Sequence, residues 1–191
     1  MFLWYALGVI LCLALVCEFY TLKTGVPTIT SFPSARRKII EILKSEVDLK
    51  PSDKPYTIID LGSGNGRLTS QVARALPSAQ VIGIEISFVP WVYSVLRQRV
   101  FGPKNLEYKR ADFWPYDISN ADAIIIYVTE NIFERLEQKL KKELKPGTIV
   151  VANDVILRGD WSPSEIHDTG FLQLKVFVYR QTGPTTQLIN L

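Results

Sequence analysis

Hydrophobic and polar positions change period several times along this chain. From Met1 to Cys17, MFLWYALGVILCLALVC carries no charged side chain. Beyond it, apolar residues recur either at helical spacing or in short unbroken runs. Ile39, Ile40, Leu43 and Val47 share one face of ARRKIIEILKSEV. Leu68, Val72 and Leu76 share one face of RLTSQVARAL, and Ile132, Leu136, Leu140 and Leu144 one face of NIFERLEQKLKKELK. Each predicts an amphipathic helix. WVYSVLRQRVF predicts another, and Ser34 stands where a residue could cap the first. Between them YTIID, QVIGIEI, ADAIIIYV and IVVANDVIL are near-continuous apolar runs, the pattern of strands buried on both faces. LEYKRADFW carries a shorter strand that stops near Asp112. LQLKVFVYR predicts a last strand, with a weaker one near SEIHDT.

Strand and helix alternate through most of the chain, which predicts an α/β domain: a doubly wound, mostly parallel sheet of seven strands with helices on both faces. The last two strands have no helix between them, so they predict an antiparallel hairpin at one edge. The Pro-, Ser- and Thr-rich TGVPTITSFPS reads as a linker or ordered loop. The organisation expected is a leader over 1–22, a linker and pre-core segment over 23–35, and one domain over 36–191.

Apolar residues make up 47% of the chain, and the excess sits in the leader. Its length is at the lower end of what a bilayer needs, roughly 17–25 residues. Trp4 and Tyr5 at one end and Phe19 and Tyr20 at the other resemble interfacial aromatics. The leader lacks a basic n-region and a small-residue cleavage site, so an uncleaved transmembrane helix is preferred to a signal peptide or a core helix. Lys23, Arg36, Arg37 and Lys38 follow it and nothing basic precedes it. The positive-inside bias then makes a single-pass membrane protein with its C-terminal domain facing the cytosol. Both cysteines, Cys12 and Cys17, lie in the leader, and His167 is the only histidine. These counts argue against a disulfide framework, a zinc site and a Ser-His-Asp triad. A net charge of +3 does not demand nucleic acid, and no basic-aromatic patch for base stacking stands out.

The chemistry concentrates in IIDLGSGNGR, residues 58–67. A strand ends in Asp60 and runs into Gly62, Ser63, Gly64 and Gly66. The dinucleotide fingerprint G-x-G-x-x-G would need glycine where Arg67 stands. Glycines still let the backbone turn tightly and approach a ligand, but Asp60 would repel a pyrophosphate. It favours a ligand that is cationic nearby and has no phosphate, as S-adenosyl-L-methionine is. Glu85 lies nineteen residues past Gly66 at the end of the second strand, where a carboxylate can accept both ribose hydroxyls. Asp112 is placed to accept from the adenine amino group, with Phe113 or Ile86 on the purine face. Asp60, Glu85, Asp112 and Thr129 each fall at the end of a different strand and converge on one rim if the sheet is parallel.

With these residues in place, the chain resembles the seven-strand, class I S-adenosylmethionine-dependent methyltransferases, over roughly residues 25 to 180. DLGSGNGR is similar to that family's first motif and GIEI to its second. GVPTITSFPSARRKIIEIL, ADFWPYDISNADAIIIYV, LEQKLKKELKPGTIVVAND and ILRGDWSP resemble blocks of a protein-lysine methyltransferase group within it. That group holds archaeal broad-specificity enzymes and membrane-anchored mitochondrial enzymes that act on ATP synthase subunit c and the adenine nucleotide translocase. The resemblance implies a Rossmann-like fold, S-adenosyl-L-methionine as cofactor, and a protein lysine as substrate, membrane proteins included. Ser31 falls where the group often has a Pro-Thr-Pro, and keeps its hydroxyl character. TEN, residues 129–131, departs from the usual residues there.

Methyl transfer from a sulfonium needs no metal; the enzyme must hold nucleophile, methyl and sulfur in line. A lysine amine, with a free pKa near ~10.4, must first lose a proton. Thr129, Glu130 and Asp154 are the candidates to orient it, with Tyr127 lining the channel. The absence of an Asn-Pro-Pro-Tyr type block after the fourth strand argues against adenine or amide N-methylation. Two other readings remain at this point: transfer to a small molecule, lipid or quinone at a membrane, and a cofactor-binding scaffold without turnover.

Overall fold

The computed structural model describes residues 31–50, 54–157, 159, 161–170 and 172–183, together with Trp4, Tyr5, Leu7, Gly8 and Leu11; of Glu130 it describes the backbone. Within the described residues from 31 to 183, four α-helices and seven strands follow in order: α1 (Pro33–Leu49), β1 (Thr57–Leu61), α2 (Arg67–Ala75), β2 (Gln80–Glu85), α3 (Phe88–Phe101), β3 (Leu106–Arg110), β4 (Ala123–Ile126), α4 (Phe133–Glu143), β5 (Ile149–Asn153), β6 (Glu165–Asp168) and β7 (Lys175–Arg180). A 3₁₀ turn, Glu130–Ile132, leads into α4.

All seven strands form one sheet in the order β3-β2-β1-β4-β5-β7-β6. The first five positions are parallel. β7 runs antiparallel between β5 and β6, which is the edge hairpin expected from two strands without an intervening helix. The chain moves outward from β1 to β3, then returns to lay β4 on the other side of β1. That reversal makes a crevice at the carboxyl ends of β1 and β4, where open α/β sheets bind ligands.

Alternation along the strands sends side chains to two cores. Ile58, Val81, Ile125 and Val151 pack with Ile39 and Leu43 of α1 and Val72 of α2. Ile59, Ile82, Ile124 and Val150 pack with Leu136 and Leu140 of α4. Full burial of each such aliphatic side chain stabilises the fold by about 1.5–3 kcal/mol. That explains why β1, β4 and β5 read as continuous apolar runs: neither face meets water.

Two expectations change. Ser34 does not cap α1. Pro33, whose ring presets a helical φ, occupies the first turn, so Phe32 is the N-cap and makes no side-chain capping bond. The hydroxyl of Ser34 is left buried without a partner. The second correction concerns the membrane. Trp4, Tyr5, Leu7, Gly8 and Leu11 have helical backbone and Trp4, Tyr5, Leu7 and Leu11 are exposed. Among the described residues no helix is long and apolar enough to cross a membrane, so the transmembrane span and the single-pass, cytosol-facing localisation do not hold. The rest of the 1–22 anchor lies outside the described residues. Two of the basic residues that oriented it have contacts within the fold: Arg36 is buried, and Lys38 pairs with Glu41 at 2.7 Å.

Gly66, the N-cap of α2, has φ +68, and a Cβ there would meet the Tyr108 hydroxyl and ring. Gly62 has a similar φ of +78 with open space around its missing Cβ. Ala at position 62 is therefore expected to cost only the left-handed penalty of about 1–2 kcal/mol. Ala at position 66 adds an overlap of about 1–3 kcal/mol. Urea unfolding of the two variants measures the difference; equal losses would contradict the packing.

Candidate functional site

The loop between β1 and α2 is built from the three glycines. Gly62, Gly64 and Gly66 all have positive φ, at +78, +55 and +68. Alternate left-handed residues fold the backbone back on itself, a shape side chains rarely tolerate; this is why glycine recurs at every second position. The loop is tied to β2. The amides of Gly62 and Ser63 donate to the Ile84 carbonyl at 3.0 and 2.9 Å. The Gly64 amide donates to Glu85 Oε2 at 2.8 Å, and the Ser87 amide donates to Glu85 Oε1 at 2.7 Å. Each Glu85 oxygen holds one backbone amide and keeps further acceptor capacity.

Asp60 lies inside β1, 4% exposed, with its Oδ2 accepting the Thr69 hydroxyl at 2.6 Å. Burial, reinforced by the nearby Glu85 charge, raises its carboxyl to a pKa of about 6, against the opposing pull of the Thr69 bond. The expectation of an open acidic edge is thus refined: the acid is sheltered.

A cleft opens beside it. Asp60, Gly62, Ser63 and Gly64 form one wall, Arg67 and Leu68 of α2 another; Ser31 and Arg36 approach from the pre-core side, and Tyr127 from the end of β4. Six of the residues singled out in the sequence, Ser31, Asp60, Gly62, Ser63, Gly64 and Tyr127, therefore line one cavity. Glu85 and Gly66 adjoin it through the loop. Ile86, Asp112 and Phe113 do not line this cleft and lie farther along the rim, beyond β2 and β3. Asp112 there accepts the Trp114 amide at 2.9 Å, and Phe113 stacks at a tilt on Trp114 with centroids 4.9 Å apart.

At the other end of the rim, the Thr129 hydroxyl donates to Asn131 Oδ1, and Glu130 opens the 3₁₀ turn. Asp154 follows β5 in a left-handed conformation, φ +53, with its amide donating to the Lys175 carbonyl at 2.8 Å. Burial first, and the Asp154 charge second, raise the pKa of the Tyr127 hydroxyl, which places Asp154 and Tyr127 in one electrostatic neighbourhood.

Two polar residues escaped the sequence reading. Asn153 ends β5 at 2% exposure; its Nδ2 donates to Ser31 Oγ at 3.0 Å, while its Oδ1 is buried without a partner. The signal was a polar residue closing the apolar run IVVA. Arg36, counted in the sequence only among the basic residues that follow the leader, stands three residues before Ile39 and seven before Leu43, on the buried face of α1. Its Nε donates to Gln71 Oε1 at 2.9 Å and its Nη1 to the Ser31 carbonyl.

These residues fit an S-adenosylmethionine-type group. The Ser63 hydroxyl is buried and unpartnered, the space beside Gly62 is open, and the lining of the cleft holds one carboxylate, Asp60, and two guanidiniums, Arg36 and Arg67, with no lysine among the described residues that form it.

Asp60 also makes a stability prediction. Its folded pKa of about 6 exceeds the unfolded value of ~3.9. The folded chain therefore binds more protons between these values, and the group's contribution falls as pH rises through this window and stays unfavourable above it. Asp60→Asn keeps an acceptor for Thr69 and is expected to stabilise the ligand-free protein at pH 7.5, by up to about 3 kcal/mol. The gain should vanish near pH 4. Urea unfolding at the two pH values checks this, and an unchanged midpoint at pH 7.5 would contradict the burial argument.

Residues 60–165, just over half the chain, match the family described as the ANTKMT methyltransferase domain. The chain is 29% identical over 159 residues to a protein-lysine N-methyltransferase of Saccharolobus islandicus, covering 81% of this chain and 92% of that protein. It is 25% identical to the adenine nucleotide translocase lysine N-methyltransferase of Mus musculus, covering 69% of this chain but 57% of the mouse protein. Among solved structures, an RNA methyltransferase from Salinibacter ruber in complex with S-adenosyl-L-homocysteine superposes with a TM-score of 0.63 at 25% identity, over 77% of this chain and 94% of that one. The seven-strand sheet, the glycine loop at its switch point and these likenesses agree: the chain belongs to the ANTKMT methyltransferase domain family, within the S-adenosylmethionine-dependent protein-lysine methyltransferases.

Proposed function

We propose that this chain methylates lysine side chains of a protein substrate, with cofactor held in the cleft between β1 and β4. The observation that carries the reading is the meeting, in one cavity, of the glycine loop, the buried Asp60 and Tyr127. The names of the archaeal and mouse relatives supply the lysine.

In this reading Asp60 faces the cationic end of the cofactor, and Gly62, Ser63, Gly64 and Gly66 bring backbone against it. Glu85 accepts the ribose hydroxyls with its free lone pairs while still holding the Gly64 and Ser87 amides. Ile86, Asp112 and Phe113 receive the base farther along the rim, and Ser31 borders the amino-acid end. When bound, S-adenosylmethionine supplies an electrophilic methyl carbon to the lone pair of a neutral amine, the C–S electron pair leaving on sulfur. The chain's part is to exclude water and aim the amine. Only about one lysine in a few thousand is neutral at pH 7, and a dry channel raises that fraction. Tyr127 lines the channel, and Thr129, Glu130 and Asp154 border its outer end, where a carboxylate or hydroxyl accepts an N–H of the amine and turns its lone pair inward.

The test is incubation of the purified chain with methyl-labelled cofactor and a cell extract. Label recovered as methyl-lysine after acid hydrolysis of the protein fraction supports the proposal; label in the organic or RNA fraction rejects it. Gly64→Arg, which fills the bend, is expected to abolish binding of S-adenosylhomocysteine. Asp154→Asn, which tolerates the left-handed backbone, is expected to lower kcat by about 10²-fold or more with cofactor affinity unchanged. Full activity in that variant would remove Asp154 from the amine site.

A further inference from the structure

One helix is apolar on the side that faces water. Apart from Ser94, Arg97, Gln98 and Arg99, α3 consists of aliphatic, aromatic and proline residues. Pro90 and Ser94 are buried, and Trp91 and Val95 pack against the core beneath it. The outer side is apolar too. Phe88, Tyr93, Leu96, Val100 and Phe101 are 47–72% exposed, whereas no large apolar side chain of α2 or α4 is exposed. A helix that is hydrophobic all round belongs in an interior, and among the described residues nothing covers this face.

The stripe is symmetric about Leu96. Val92 and Val100 stand four residues to either side of it, on one ridge, and Tyr93 and Arg99 stand three residues away. Two antiparallel copies of α3 crossing at Leu96 therefore set Val92 of one protomer against the partner's Val100, and Tyr93 against the partner's Arg99. The first pair continues a ridge-into-groove contact, and the second is a cation–π contact. A parallel pair would set Arg99 on Arg99. The five exposed side chains present about 500 Å², so a pair buries up to about 1,000 Å², the size at which specific interfaces begin. α2 and α3 hold no acid, which also suits a lipid surface with anionic headgroups. Two arginines on this side are turned inward, however: Arg97 Nη2 donates to the Gly66 carbonyl at 2.7 Å, and Arg74 Nη2 donates to the Phe101 carbonyl. The symmetry of the stripe favours a second copy.

We propose that the outer face of α3 is a self-complementary interface that pairs two copies of this chain about a two-fold axis beside Leu96. The inference does not rest on the methyl-transfer reading. It bears on the site all the same, because α3 holds the glycine loop: the Ser94 hydroxyl donates to the Gly64 carbonyl at 3.2 Å, beside the Arg97 bond to Gly66. Each copy thus braces the helix that holds the other's loop.

Sedimentation equilibrium of the full chain tests this. A dimer with a micromolar Kd is expected, the weak end for an interface of this size. The rim is basic on both copies, so raising NaCl to about 0.5 M should tighten the dimer several-fold by screening arginine from arginine; this comparison needs no variant to fold. Leu96→Arg places a charge at the centre and should weaken pairing at least about 100-fold, with far-ultraviolet circular dichroism checking that the variant folds. In a chain carrying Cys12→Ser and Cys17→Ser, mild oxidation should cross-link Leu96→Cys copies and leave Lys44→Cys, on α1, uncrosslinked. A monomeric wild-type chain, or pairing that survives Leu96→Arg, would overturn the proposal. So would equal cross-linking at the two positions. A monomer that sediments with phosphatidylserine vesicles but not with phosphatidylcholine vesicles would give the face to lipid and overturn it too.

Discussion

The site depends on a backbone constraint: the chain must leave β1, turn through three left-handed residues and enter α2 within the width of one crevice. Inside the turn the Ser63 carbonyl takes the Gly66 amide and the Asn65 side chain the Arg67 amide. From outside it is held by the Ile84 carbonyl and by the Glu85 carboxylate, which accepts the Gly64 amide at 2.8 Å. The carbonyl of Gly66, at the entrance to α2, accepts Tyr108 and Arg97, each at 2.7 Å. β2, β3 and α3 thus serve as the mould for a loop that belongs to β1. If the mould shifts, the amides that line the cleft shift with it.

Charge is arranged around that mould in an order the primary structure only half disclosed. An acid before a glycine loop suggests an exposed negative mouth. In the fold, β1 continues one residue past Asp60, and α2 lays Thr69 over it, so the carboxylate is sheltered and its ionisation is costly. A buried acid with a pKa of about 6 remains mostly ionised at neutral pH, and a cation placed beside it recovers part of the burial penalty. Burial disfavours the charged form of the Arg36 guanidinium in the same way, with the Arg67 charge adding to it.

Strands β1, β4 and β5 were legible because burial on both faces leaves no room for polar residues, and the closing hairpin because no helix separates β6 from β7. The glycine loop was legible because its conformation demands one residue type. What stayed hidden depends on contacts distant in sequence. Arg36 resembles any surface arginine until α2 brings Gln71 to it, and Asn153 resembles a strand end until Ser31, 122 positions away, reaches its amide. Ser34 misled because a proline one position earlier starts the helix. The apolar leader misled for a broader reason: hydropathy records what a segment avoids, and the basic residues taken to fix its orientation include Arg36, which the fold buries.

α1 is secured at both ends of its buried face to the far end of the chain. Ser31, just before it, meets β5, and Glu46 in its last turns pairs with Arg180 of β7 at 2.6 Å, a partner that also binds Glu165 of β6 at 2.7 Å. A nascent chain leaving the ribosome has made the glycine loop long before it has made Arg180. Synthesis runs from the N-terminus, so Glu46 of α1 must wait for the last of the described strands before it meets its arginine. A chain stopped short of β7 would keep α1 on the flank of the sheet through α2 and lose the charge that Glu46, buried and acidic, is built to meet.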